Sequence, residues 1–289
     1  MKVVSTVSEL REKIRESGLA PVGLVPTMGA LHKGHLSLMG KALSECPVAV
    51  VSIFVNPNQF NDKNDLKNYP RTPDSDLKLL DTVLREKDIV FTPPVVEIYP
   101  EEDMRQFRFG NLDNVMEALH RPGHFNGVAQ VVSRLFEIVE PEIAFFGIKD
   151  FQQLAVIKEM TRQIGSSIRI VGCPIVREKD GLAMSSRNRL LDPETRKLSP
   201  VIFKTISMAA GMIKNRDIPE IKKFVTDSIN SLQGFNVEYF EIADDRELIP
   251  VNKKKEMKSG RQYYGCIAVK AVNIRLIDNI KIDWVETKG

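Results

Sequence analysis

Cysteine is scarce: Cys46, Cys173 and Cys266 are the only three in 289 residues, and they lie far apart. An odd, dispersed set of this kind builds neither a disulfide framework nor a thiolate pair at metal-binding spacing, and it fits a reducing compartment. Long apolar runs are missing as well. No segment reaches the length of a membrane span, and Met1 to Thr6 carry no apolar signal region. A surplus of one charge is also absent. The 41 Lys and Arg against 38 Asp and Glu leave a formal charge of +3, which suits anionic small molecules and gives no nucleic-acid footprint. Repeats and low-complexity tracts are not found. The expectation is a soluble, cytoplasmic protein with neither a nucleic acid nor a membrane as partner.

What is present is an ordinary globular composition, 43% hydrophobic and 27% charged, in a chain long enough for one large domain and a smaller one. Thr6 with Glu9 forms a capping-box pattern, and the spacing of Val7, Leu10 and Ile14 predicts a helix to Ser17, stopped by Gly18. Pro21 to Val25 reads as a buried strand, Leu36 to Leu43 as a helix, and Val48 to Val55 as a central parallel strand. Helices are expected over 74–85, 127–140 and 151–163, with strands over 89–91, 143–146 and 168–171. Strands alternating with helices place the chain in the α/β class, with a Rossmann-like parallel sheet covered by helices on both faces. After Pro174 the rhythm changes to helices over 198–215 and 218–232, then strands over 237–242 and 264–272. That predicts a smaller α+β C-terminal domain, with the boundary between residues 1–175 and 176–289. The basic run Lys253 to Lys255 reads as a solvated loop.

The most informative stretch is Met28-Gly29-Ala30-Leu31-His32-Lys33-Gly34-His35, directly after the first buried strand and before a helix. In an open parallel sheet, ligands bind beyond the carboxyl ends of the strands, where helix N-termini point their amides. His32 and His35 are two of only four histidines, and a protonated imidazole there would offset charge on reacting phosphates. The bland alternatives are surface histidines or a zinc pair, although no third ligand is in view. Later, Met184-Ser185-Ser186-Arg187 follows a Gly-containing loop. Hydroxyls beside an arginine suit a triphosphate, yet alone the triplet would be a turn before a helix.

His32-Lys33-Gly34-His35 resembles the His-x-Gly-His signature of the nucleotidyltransferase superfamily that includes class I aminoacyl-tRNA synthetases, and the Ser185–Arg187 region resembles its second motif. With Asn56-Pro57-Asn58-Gln59, Tyr69-Pro70-Arg71, Arg121 to Val128, Gly147-Ile148-Lys149-Asp150 with Gln152-Gln153, and Arg275-Leu276-Ile277-Asp278-Asn279, the chain resembles the pantothenate synthetase (pantoate–β-alanine ligase) family from near residue 20 to near 282. The resemblance implies ATP-dependent condensation of pantoate with β-alanine through a pantoyl-adenylate, releasing AMP and pyrophosphate, with ATP as substrate and Mg2+ carried by the nucleotide.

It further implies that Met28 to His35 bind ATP, with His35, His32 and Lys149 catalytic and His35 a proton donor. Gly147, Ile148, Lys149 and Asp150 would hold adenine and ribose, Val176 adenine, and Met184, Ser185, Ser186 and Arg187 the triphosphate. Gln59 and Gln153 would bind pantoate with support from Asn56, and Gln59 would be shared with β-alanine. No protein metal site is implied: many family members carry two adjacent acids where this chain has Ser75-Asp76, leaving Asp76 at most a contact through water. Ile148 also replaces a polar residue. The C-terminal domain would act as a lid, and a homodimer is expected. For Asp150 the local alternative is helix capping, and for the two glutamines it is surface polarity. Arg121 and His124 read equally as supports for the helix they precede. The rival readings are an adenylyltransferase acting on a phosphorylated acceptor and a binding module that has lost catalysis. A tRNA synthetase is disfavoured, because no anticodon-binding domain is evident.

Overall fold

The computed structural model describes residues 1–284. Two compact units emerge. One comprises Met1–Phe109, Arg121–Ile148 and Val156–Val176; the other comprises Gly110–His120, Lys149–Ala155 and the chain from Arg177 onward.

The first unit is built on a six-stranded sheet. Its strands are β1 (Lys2–Val4), β2 (Val22–Thr27), β3 (Val48–Ile53), β4 (Ile89–Phe91), β5 (Ile143–Gly147) and β6 (Arg169–Cys173). Every pairing is parallel, in the order β1-β4-β3-β2-β5-β6. Alternation along the strands serves two cores. Val25, Val51, Val90 and Phe145 pack with Leu38, Met39 and Ala42 of the helix Lys33–Glu45 and with Leu80 of the helix Pro73–Asp81. Leu24, Val50, Ile89 and Ala144, one residue out of phase and fully buried, turn to the opposite face. The helix His124–Val139 packs against β2 there and buries most of its length.

The order of strands fixes where a ligand belongs. From β2 the chain moves to β3 and β4 on one side, and β5 then pairs β2 on the other, with Gly23 opposite Ile143. The switch point therefore lies between the carboxyl ends of β2, at Thr27, and β5, at Gly147. Crevices at such points are the binding sites of doubly wound sheets.

The second unit packs helices Val201–Met212 and Ile218–Asn230 on an antiparallel three-stranded sheet of β7 (Phe235–Asp244), β8 (Tyr263–Ala271) and β9 (Ile274–Ile282). Ile218, Ile221, Val225 and Ile229 form one helical face and lie in one core with Phe240, Ile242, Ile267 and Val269.

The α/β sheet with a smaller α+β part agrees with the sequence expectation. The differences are local. β1 and β9 were not anticipated, and the helix expected from Leu36 starts at Lys33 because His32 caps it. The helix expected over 198–215 is Val201–Met212, with a separate turn of helix at Pro193–Leu198 before it. No helix among the described residues is long and apolar enough to cross a membrane.

Candidate active site

The loop leaving β2 is locked from behind. Thr27 Oγ1 donates to the carbonyl of Ser52 at 2.8 Å and accepts the amide of Gly29 at 3.2 Å. Gly29 and Ala30 both have positive φ, 79° and 48°. Glycine adopts this region freely, whereas alanine there is strained by about 1–2 kcal/mol. Asp76 stabilises the turn: its carboxylate accepts the amides of Ala30 and Leu31, each at 2.8 Å, and the hydroxyl of Thr72 at 3.0 Å. Asp76 is 2% exposed. Its oxygens are thus engaged by the loop, which gives Asp76 a bracing role. Among the described residues, no group of three or more His, Cys, Asp or Glu is arranged to hold a metal.

Beyond the loop, His32 and His35 cap the helix reciprocally. His32 Nδ1 accepts the amide of Gly34 at 3.1 Å, and His35 Nδ1 accepts the amide of His32 at 3.2 Å. Their rings lie 4.1 Å apart between centroids. With Nδ1 of each ring turned to the backbone, Nε2 is the atom each ring presents away from the cap. Met28, His32, Gly34 and His35 are half-buried, Lys33 is exposed, and Ala30 and Leu31 are buried.

A second cluster of the same unit gathers at the turn Pro57–Gln59. Asn56, 1% exposed, donates through Nδ2 to the carbonyl of Gly127 at 3.0 Å and to Gln59 Oε1 at 3.3 Å, and its Oδ1 accepts the Tyr99 hydroxyl at 3.1 Å. Burial pushes the Tyr99 phenol upward, so it remains a donor. Gln59 donates to the sulfur of Met28 at 2.8 Å, which joins this cluster to the β2 loop. His124 Nδ1 lies 2.7 Å from the carbonyl of Gln59, and its Nε2 lies 3.0 Å from Arg121. The nitrogen facing the carbonyl must carry the proton, leaving Nε2 to accept from the guanidinium. Gly127 permits the close approach of helix and turn: a Cβ there would stand 2.3 Å from the carbonyl oxygen of Asn58.

At the end of β5, Gly147 pairs with Cys173, and the Ile148 amide donates to the Cys173 carbonyl at 2.9 Å. A Cβ on Gly147 would meet no heavy atom within 4 Å, so the backbone there is open to a ligand. Ile148 and Val176 are half-buried and belong to the first unit.

The remaining candidates lie in the second unit. Lys149 Nζ stands 3.5 Å from the Asp150 carboxylate. Asp150 occupies the helix start as well, its carbonyl accepting the amide of Leu154 at 3.0 Å. Gln153 is half-buried, whereas neighbouring Gln152 is buried and bonded to the backbone. Ser185 caps the turn Ser186–Leu190 by accepting the amide of Arg187 at 3.3 Å. Ser186 is buried, while Met184 and Arg187 are half-buried.

Tyr99 and Gly127 carried no readable signal in the sequence, and Arg121 and His124 carried an ambiguous one. Tyr99, Gly127 and His124 take their roles from partners more than forty positions away, such as Asn56 with Tyr99, while Arg121 meets His124 three positions on.

Comparison with known proteins decides the family. The model for "Pantoate-beta-alanine ligase" matches residues 2–281. The chain belongs to the pantoate–β-alanine ligase family. It is 52% identical over 285 residues to a pantothenate synthetase of Phocaeicola vulgatus, covering 97% of this chain and 99% of that one. It is 47% identical to a pantothenate synthetase of Porphyromonas gingivalis over 286 residues, covering 98% and 100%. Among solved structures, a pantothenate synthetase of Thermus thermophilus superposes with a TM-score of 0.88 at 40% identity, covering 98% of this chain and 99% of that chain. A Francisella tularensis pantoate–β-alanine ligase, complexed with beta-gamma ATP and β-alanine, superposes at 0.77 with 29% identity and 99% coverage of both. The chain is an ATP-using ligase of this class.

Proposed function

We propose that the protein makes pantothenate from pantoate, β-alanine and ATP by way of pantoyl-adenylate, and that the residues above divide the work as follows. A pantoate carboxylate oxygen attacks the α-phosphorus of ATP; the new P–O bond forms as the bond to the β-phosphate oxygen breaks, and pyrophosphate leaves. The β-alanine amine then attacks the acyl carbon, loses a proton and expels AMP.

The observation that carries this reading is the reciprocal cap of His32 and His35 on a loop locked by Asp76, at the switch point of the sheet. Two imidazoles held rigidly at a helix N-terminus, each with Nε2 available to donate, suit the charge that develops on phosphate oxygens, because fixed dipoles need no reorganisation during reaction. Under the family's reading Met28 to His35 hold the phosphates, with His35 and His32 catalytic. Gly147 to Asp150 take adenine and ribose, and Val176 takes adenine through its backbone. Lys149 supplies the cation at the reacting groups, and Met184, Ser185, Ser186 and Arg187 engage the triphosphate. In this reading residues 176–289 act as a lid that closes when nucleotide binds.

Gln59 and Gln153 bind pantoate. Their uncharged amides can bond its hydroxyls and carboxylate without an over-tight ion pair. Asn56 supports Gln59, which is shared with β-alanine; the Francisella relative solved with β-alanine supports a site for the amine. Mg2+ enters with the triphosphate as part of the substrate, since the Asp76 oxygens are already engaged by Ala30, Leu31 and Thr72. A cytoplasmic homodimer completes the reading.

The test is a product assay. With all three substrates, AMP and pyrophosphate are expected in equal amounts with pantothenate. ADP and phosphate instead would replace the adenylate by an acyl phosphate.

A further inference from the structure

We propose that Asn279 is a positioning residue for Lys149, and that the β9 stretch Arg275–Asn279 is the brace that sets the reacting segments of the second unit. The proposal rests on the reading of Lys149 given above.

Asn279 is 3% exposed and donates through Nδ2 to the backbone carbonyl of Lys149 at 3.0 Å. Lys149 lies just past the end of β5 and just before the helix that starts at Phe151. Capturing its carbonyl fixes the peptide from which the Lys149 side chain departs and which leads into Asp150.

The residue before Asn279 does a parallel job. Asp278, 4% exposed, accepts two hydrogen bonds from Arg177, at 2.6 and 2.9 Å, and the amide of Asn279 at 2.8 Å. Arg177 in turn donates to the carbonyl of Gly181 at 3.2 Å and lies 3.6 Å over the ring of Phe203. It opens a small hairpin, bridged from Arg177 to Ala183, that runs directly into Met184 to Arg187. Successive residues of a strand point to opposite faces, so Asp278 and Asn279 address different neighbours from one rigid point.

Arg275 completes the set. It grips Glu117 through two bonds of 2.7 Å and Glu238 at 2.6 Å, and the Tyr239 hydroxyl donates to Glu117 at 2.7 Å. The Glu117 amide donates to Gln152 Oε1 at 2.9 Å. Gln152 is thereby fixed immediately beside Gln153.

Buried ion pairs are weak devices for stability, because desolvation offsets their attraction. A strand meant only to pack would carry apolar residues at 278 and 279. Here Asn279 instead ends directly on Lys149, while Asp278 and Arg275 end on Arg177 and Glu117, residues that lead into or hold the neighbours of segments assigned to substrates, and that points to geometry as what the motif supplies.

The test is a double-mutant cycle on the first half-reaction, measured as ATP–pyrophosphate exchange with pantoate. Its four proteins are the unaltered enzyme, Asn279→Ala, Lys149→Ala and the double variant. Asn279→Ala is expected to slow turnover by about 10- to 100-fold, the scale of a misplacement near 1 Å, with little change in KM for ATP. In the Lys149→Ala background the same change should add nothing. Effects that multiply, or full-rate exchange by Asn279→Ala, overturn the proposal. Full-rate exchange by Lys149→Ala removes the underlying assignment of Lys149 and is a separate outcome. If Asn279→Ala does not fold, Asn279→Ser, with a donor on a shorter arm, enters the same cycle under the same criteria.

Discussion

Asp76 accepts the backbone amide of Ala30 at 2.8 Å, across 46 positions of sequence, while Ala30 sits at a φ of 48°. A buried carboxylate thus stabilises a strained turn at the mouth of the sheet, and the neighbouring amide of Leu31 shares it. Replacing Asp76 with Ala would remove the carboxylate acceptor of both amides, and a lost hydrogen bond to a charged group costs about 1.5–3 kcal/mol. The expected result is a lower melting temperature together with a rise in KM for ATP, read by thermal melts and pyrophosphate exchange. Asp76→Asn keeps one acceptor oxygen and should fall between. An unchanged KM for ATP in Asp76→Ala would separate the turn from the nucleotide.

The histidine pair allows capping to be told apart from chemistry. Asparagine is a good N-cap and glutamine suits the N3 position of a capping box. His32→Asn and His35→Gln should therefore melt within a few degrees of the unaltered protein. Each should nonetheless lose about 100- to 1,000-fold in the adenylation rate, the scale for removing a preorganised donor. His32→Ala should show the rate loss plus destabilisation of about 1 kcal/mol. A near-normal rate in either conservative variant would remove that ring from the reaction.

Gly127→Ala tests the other cluster. The added methyl would press on the Asn58 carbonyl at 2.3 Å and push the Pro57–Gln59 turn from the helix. Overpacking of this kind costs about 1–3 kcal/mol. The account expects KM for pantoate to rise while KM for ATP stays put, measured by steady-state kinetics. Equal rises in both would place the turn outside a pantoate-specific role.

Acid should loosen the second unit through Asp244. Burial pushes its carboxyl upward, but the amides of Glu247, Arg246 and Ile249 and the Arg261 guanidinium outweigh burial and hold it below the usual 3.8. A depressed folded value means the stabilisation is present above the unfolded value and is lost as pH falls through the folded one. Denaturant melts should show stability declining below about pH 4, and Asp244→Asn should flatten that decline. The same slope in the variant would contradict the assignment.

Much of the sheet was legible because β2, β3 and β5 are buried runs between helical periods, and the His32–His35 stretch lay where such a sheet binds ligands. β1 escaped because it is three residues long, with Val3 half exposed. β9 escaped because Asp278 and Asn279 are poor strand formers, and their partners Arg177 and Lys149 lie 101 and 130 positions away. The start of the helix at Lys33 was missed because histidine is not among the usual capping residues. Asp76 was readable as an acid near the site but not as a brace, since nothing local announces that its carboxylate faces Ala30 and Leu31.

The central claim is that pantoate is activated as an adenylate, and positional isotope exchange tests it most directly. ATP carrying 18O in the α–β bridge is incubated with the protein and pantoate, without β-alanine. The account predicts that the bridge label moves into the non-bridging β positions, and only when pantoate is present. A label that stays in the bridge, while the complete mixture still forms pantothenate, would contradict it.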